Sequence, residues 1–131
     1  MPAPKPAFSY TIGLTEHGLP ELALAGLKPV VSRGILNRIG KLMRDSGSFR
    51  EGQIINNALS DGMPVGFANV PPDSLSIASR RYGANGYTAL QVFWPDTLKR
   101  LPWQQGVDAQ IASIQHRLWR LGMSAPIYKP H

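Results

Sequence analysis

Hydrophobic and polar positions alternate with a period of two along residues 8–14 (Phe-Ser-Tyr-Thr-Ile-Gly-Leu). Aromatic and β-branched residues crowd the same stretch, which predicts a strand. Residues 15–20 (Thr-Glu-His-Gly-Leu-Pro) are turn chemistry, and residues 21–27 (Glu-Leu-Ala-Leu-Ala-Gly-Leu) predict a second strand, so the two form a hairpin. The period then changes. Pro29 suits the first position of a helix, and Val31, Ile35, Leu36, Ile39, Leu42 and Met43 recur at helical spacing until Ser46-Gly47-Ser48 stops the run. Arg33, Asn37, Lys41 and Arg44 fall on the opposite face, with Arg38 beside them. This helix therefore has one face for a sheet and one basic face for solvent or an anion.

The second half repeats the grammar. Residues 53–60 and 64–70 read as strands around an Asp61-Gly62 turn, with Pro64 marking an edge or a strand start. Pro71-Pro72-Asp73-Ser74 opens a second helix that runs to about Tyr82 and ends at Gly83 and Asn85-Gly86. Residues 87–94 form the clearest strand of the chain, broken by Pro95-Asp96-Thr97. Asp108 caps a final helix with the stripe Ile111, Ile114, Leu118 and Leu121, preceded by Val107 and ended by Gly122. Two hairpins with helices between them predict an α+β fold: a single domain with a mostly antiparallel sheet of about five strands and three helices packed on it. The domain is expected over residues 8–123, after a proline-rich leader at 1–7 and before a tail at 124–131.

Composition narrows the function classes. At 131 residues and 43% hydrophobic, the chain has enough apolar surface for one real core. No apolar run approaches 18 residues, so no membrane span is predicted. The leader lacks the apolar segment of a signal peptide. The absence of cysteine excludes disulfides and thiolate metal sites. A net charge of +6 and a pI of about 10.1 favour an anionic partner. No recognition-helix motif is present, so a small anionic molecule is expected before nucleic acid.

The candidate chemistry is sparse. Two tryptophans, Trp94 and Trp103, flank Lys99-Arg100, and an aromatic and a cation in one loop can stack a base and hold a phosphate. Tyr10, Gln91, Trp94, Asp96, Lys99, Arg100 and Trp103 are the expected ligand-binding set. His17 and Glu21 sit around one turn and, with Asp96, are the candidate acid–base residues for a hydrolase-type alternative. No nucleophile accompanies them. His17, His116 and His131 have no paired ligand spacing, no GxxxxGK[ST] or GxGxxG exists, and Gly83-Ala84-Asn85-Gly86 lies between a helix and a strand, the reverse of a phosphate loop. Neither a metal nor a cofactor is therefore expected. The apolar seam of the last helix offers a third reading, a homo-oligomeric interaction module, with Trp119 just off the seam.

The blocks F-S-Y-T-I-G-L (8–14) and L-P-E-L (19–22) with Gly26-Leu27, then A-L-Q-V-F-W-P-D (89–96), L-P-W (101–103) and G-V-D (106–108), resemble a bacterial family, domain of unknown function 4262. The resemblance runs in order over residues 8–108. Phe93 and Leu101 replace other apolar residues of the pattern. Many members read G-H-P-E-L where this chain has His17-Gly18-Leu19-Pro20-Glu21-Leu22. The resemblance implies a prokaryotic, cytoplasmic protein and supports the choice of blocks, but transfers no reaction. The expectation is a small soluble domain that binds an anionic, nucleotide-like molecule without catalysis.

Overall fold

The structure, a computed structural model, describes residues 8–71, 75–83 and 85–115. Among these, β1 (Phe8–Tyr10), β2 (Glu21–Ala25), β3 (Ile54–Ile55), β4 (Val65–Asn69) and β5 (Ala89–Phe93) form one sheet in the order β1-β2-β5-β4-β3. Helices α1 (Pro29–Ser46), α2 (Ser76–Tyr82) and α3 (Ala109–Ile114) complete the α+β fold. No helix among the described residues is long and apolar enough to cross a membrane. β1–β2 and β3–β4 are antiparallel hairpins, as the alternation and turns predict. β5 enters between them, antiparallel to β4 and parallel to β2. The one parallel pair arises because a helix, a hairpin and a second helix intervene between β2 and β5. A connection that long can return the chain in either direction.

Both central strands are buried along their whole length, and side-chain size sorts their two faces. Leu22, Leu24, Leu90, Val92 and Trp94 join Val65 and Phe67 under α1, which contributes Leu36, Ile39 and Met43. The opposite face presents small residues. Ala23 and Ala89 pack with Val70, Leu75, Ala78 and Tyr87 where α2 crosses, while Ala68 and Phe93 pack with Leu101 and Trp103. The leucine–alanine alternation of β2, equally suited to a helix by composition, is thus the signature of a strand between a thick layer and a thin one. Each leucine taken fully out of water contributes about 1.5–3 kcal/mol.

Four local features differ from the sequence expectation. The first strand leaves its ladder after Thr11, whose N–H donates to the Leu22 carbonyl. Gly13, at φ 126°, then turns the chain into a 3₁₀ turn, Leu14–His17. The third strand keeps only two residues, and α2 starts at Ser76 after an extended Leu75, while the expected opening at residues 72–74 lies outside the described residues. On α1 the buried stripe is Ser32, Leu36, Ile39, Gly40 and Met43, while Val31 is 48% exposed. Only the part of the last helix up to Ile114 falls within the described residues. Asp108 caps it as expected, its Oδ1 accepting from the N–H groups of Gln110 (2.9 Å) and Ile111 (3.3 Å). The expected seam positions Leu118 and Leu121, with His116, Trp119, Gly122, His131, the leader and the tail, lie outside the described residues.

The end of α3 is tied back to the sheet by one side chain. Gln115 accepts from the Trp94 N–H (2.9 Å) and donates to the Trp94 carbonyl (2.7 Å), which satisfies the strand just beyond β5 in the way a neighbouring strand would.

Candidate anion-binding recess

Asp96 closes the loop that follows β5. Its carboxylate accepts from the N–H groups of Leu98 and Arg100 through Oδ1, from the N–H of Asp108 and from the Arg100 guanidinium through Oδ2, at 2.9–3.3 Å. Burial alone would raise the pKa of this carboxyl. The N–H groups of Arg100, Asp108 and Leu98, with the Arg100 guanidinium, outweigh it and hold the group below the usual carboxylate range. A depressed folded-state pKa contributes stability above the ordinary aspartate value of about 3.9, and that stability is lost as pH falls through and below it. Asp96→Asn should therefore lower the urea midpoint at neutral pH and flatten the loss of midpoint between neutral and strongly acidic pH. An unchanged acid slope would show that Asp96 does not drive acid unfolding.

Glu21 performs the same kind of work at the other end of the sheet. Its side chain is fully buried. It accepts from the Thr11 hydroxyl (2.7 Å), the Thr15 hydroxyl (2.5 Å), and the N–H groups of Gly13 (3.2 Å), Leu14 (3.3 Å) and Thr15 (2.8 Å). Successive N–H groups converging on one carboxylate make a nest, here filled by the chain's own anion. The Thr11 hydroxyl also accepts from the Leu22 N–H, so the network pins the 11–15 turn onto β2.

The turn organised by Glu21 leans over the basic face of α1, and two adjoining recesses open between them, with volumes of about 310 and 320 Å³. Residues 9–14, Glu16 and His17 form one wall. The other is α1, through Pro29, Arg33, Leu36, Asn37, Gly40, Lys41 and Arg44. Gly40 brings the helix close, since a Cβ there would touch the Leu14 side chain at 3.6 Å. Arg33, Asn37, Lys41 and Arg44 follow one another at helical spacings of four, four and three, so they form a single stripe about 16 Å long. All four are exposed. Among the described residues the ion pairs are Arg81–Glu16 and Arg100–Asp96, so none of the three cations on the stripe is paired. Glu16, the one acid among the described residues of the recess wall, is bound by Arg81 at 2.7 Å, and that guanidinium holds its carboxyl below its ordinary value.

Of the residues predicted from sequence, Tyr10 and His17 line the recess, and the others lie elsewhere. Trp94 is buried on the α1 face with its indole N–H donating to the Ala25 carbonyl at 2.9 Å. Trp103 packs edge-on against Phe93 on the opposite face, 5.3 Å between ring centroids. The sheet separates the two tryptophans. Gln91 is fully buried between Ala23 and Ala68. Tyr10 ties β1 to α2 by accepting from the Ile77 N–H at 3.2 Å. Arg100 is engaged by Asp96, and Lys99, at φ 64°, extends its amine over Gly62. His17 is exposed on the recess wall while Glu21 is buried behind the turn, and no hydrogen bond joins them. The basic face of α1 is legible from sequence. What sequence reasoning missed is the wall opposite it, above all Glu16 and its link across 65 positions to Arg81.

Fold and recess together define a small α+β domain with an electropositive groove at one end of its sheet. The chain belongs to the family described as Domain of unknown function (DUF4262), which it matches over residues 1–108. No curated protein and no solved structure matches it.

Proposed function

We propose that this domain binds an anionic small molecule of nucleotide-like character in the recess between the 11–17 turn and α1, without catalysis. The observation that carries this reading is the stripe of three cations unpaired among the described residues, Arg33, Lys41 and Arg44, with Asn37 among them, along one wall of a recess whose one acid among the described residues, Glu16, is held by Arg81. Arginine supplies paired donors that match phosphate and carboxylate geometry, lysine a compact charge, and asparagine a neutral donor. The net charge of +6 adds long-range attraction for an anion.

The test is titration calorimetry with pyrophosphate and with ATP at low and high salt. Affinity should fall as salt rises, because the site is open to solvent. Lys41→Glu and Arg44→Glu should each weaken binding about tenfold or more while leaving the urea midpoint close to wild type, since both side chains are exposed. Unchanged affinity in the double variant would rule out the recess as the site.

A further inference from the structure

The cations of the α1 stripe are divided between the two adjoining recesses. Arg33 lines the one between β1 and the start of α1, with Ser9 and Pro29. Lys41 and Arg44 line the one under the 3₁₀ turn, with Gly13 and His17. Glu16 stands at that second end too, held by Arg81. Thr11, Ile12, Leu36 and Asn37 line both recesses, so the two meet over four uncharged residues. Ile12 is 37% exposed at this junction. Lys41 follows Arg33 by eight positions, a rise of about 12 Å along the helix axis. The groove therefore has two ends, with one cation at the first, two at the second and a neutral, partly apolar floor between them. For one phosphate to take donors from both ends, both side chains would have to lie down along the helix over Asn37.

We infer that the groove takes an elongated ligand with an anionic group at each end, in the simplest case a bisphosphate, one phosphate at Arg33 and the other at Lys41 and Arg44, with its neutral middle over Ile12 and Leu36. This rests on the reading of the recess as an anion site and adds the ligand's length and valence to it. Asn37 offers the middle of the ligand a neutral donor and acceptor. Once one phosphate is seated, the tether holds the second near the other end at a high effective concentration. The gain is greatest when the tether matches the span between the ends. Pyrophosphate is short against that span and draws on one end.

The experiment is titration calorimetry of wild type, Arg33→Gln and Arg44→Gln with four probes: hexanediol phosphorylated at both ends, ethanediol phosphorylated at both ends, hexyl phosphate and pyrophosphate. Wild type should bind hexanediol bisphosphate about tenfold more tightly than either hexyl phosphate or ethanediol bisphosphate. The two bisphosphates carry the same charge, so their difference reads spacing alone. Arg33→Gln should weaken hexanediol bisphosphate about tenfold, to the level of hexyl phosphate, and leave pyrophosphate within about twofold of wild type. Arg44→Gln should weaken all four probes. Both arginines are exposed, so both variants should keep the wild-type urea midpoint. Equal affinity for the two bisphosphates overturns the two-ended ligand and leaves the anion recess standing. So does a loss of pyrophosphate affinity in Arg33→Gln as large as the loss for hexanediol bisphosphate. No binding of any of the four sinks both.

Discussion

Glu21→Ala should destabilise the protein by about 3–5 kcal/mol, a large share of the stability of a domain this size. The deletion removes the acceptor of five hydrogen bonds at once and strands the Thr11 and Thr15 hydroxyls and the N–H groups of Gly13, Leu14 and Thr15 against a new cavity. Glu21→Gln should recover little, because one amide oxygen replaces two acceptors and the NH₂ group meets donors. Urea denaturation followed by tryptophan fluorescence measures the change. Because the nest is a built anion site, acetate or formate in the tens of millimolar should restore part of the lost stability to Glu21→Ala and none to wild type, through binding of the native state alone. Loss of less than 1 kcal/mol in Glu21→Ala, or equal effects of acetate on both proteins, would show that the turn holds without this carboxylate. The same variant bears on function. The turn is one wall of the recess, so pyrophosphate affinity should fall even in the folded fraction.

This carboxylate also shows where legibility from sequence ends. Glu21 is visible as an acid beside a histidine at a turn, which reads as acid–base chemistry. Its partners at Thr11 and Thr15 are close in sequence, and a turn rich in Gly and Thr preceding a buried acid is a signal that could have been read as a nest. Asp96 is similar, because its bonds reach only to residues 98, 100 and 108. Local alternation and helical spacing recover the hairpins and α1, since those patterns depend on residues within a few positions. The parallel pairing of β2 with β5 does not emerge from them, because it joins segments about 68 positions apart through burial on both faces. The tryptophans mislead for the same reason. Trp94 and Trp103 lie nine positions apart, but side chains at β5 positions 92 and 93 already point to opposite faces, and the loop beyond carries Trp103 to the far side. The basic stripe of α1 was visible throughout, but a stripe becomes a recess only when something leans over it. That depends on the Glu21 nest.

Trp94→Ala is expected to cost about 3–5 kcal/mol as a core deletion. The indole is among the largest side chains under α1, 8% exposed, and its ring edge fills the space beside Gly26. Gly26 sits at φ 95° with the Ile114 carbonyl 2.6 Å from where a Cβ would stand, so the indole edge packs where the end of β2 and the end of α3 already meet closely. Trp94→Phe separates packing from hydrogen bonding. It retains most of the apolar volume but leaves the Ala25 carbonyl buried without its indole donor, a loss of about 1–3 kcal/mol. The pair of variants also decides between core and ligand contact for this residue. If Trp94 serves only the core, Trp94→Phe binds pyrophosphate with wild-type affinity while its urea midpoint falls. If affinity drops and the midpoint does not, Trp94 touches the ligand and the binding site extends to the end of β5. Fluorescence quenching by added ligand, taken as the difference between wild type and Trp94→Phe because Trp103 and Trp119 also emit, gives an independent reading.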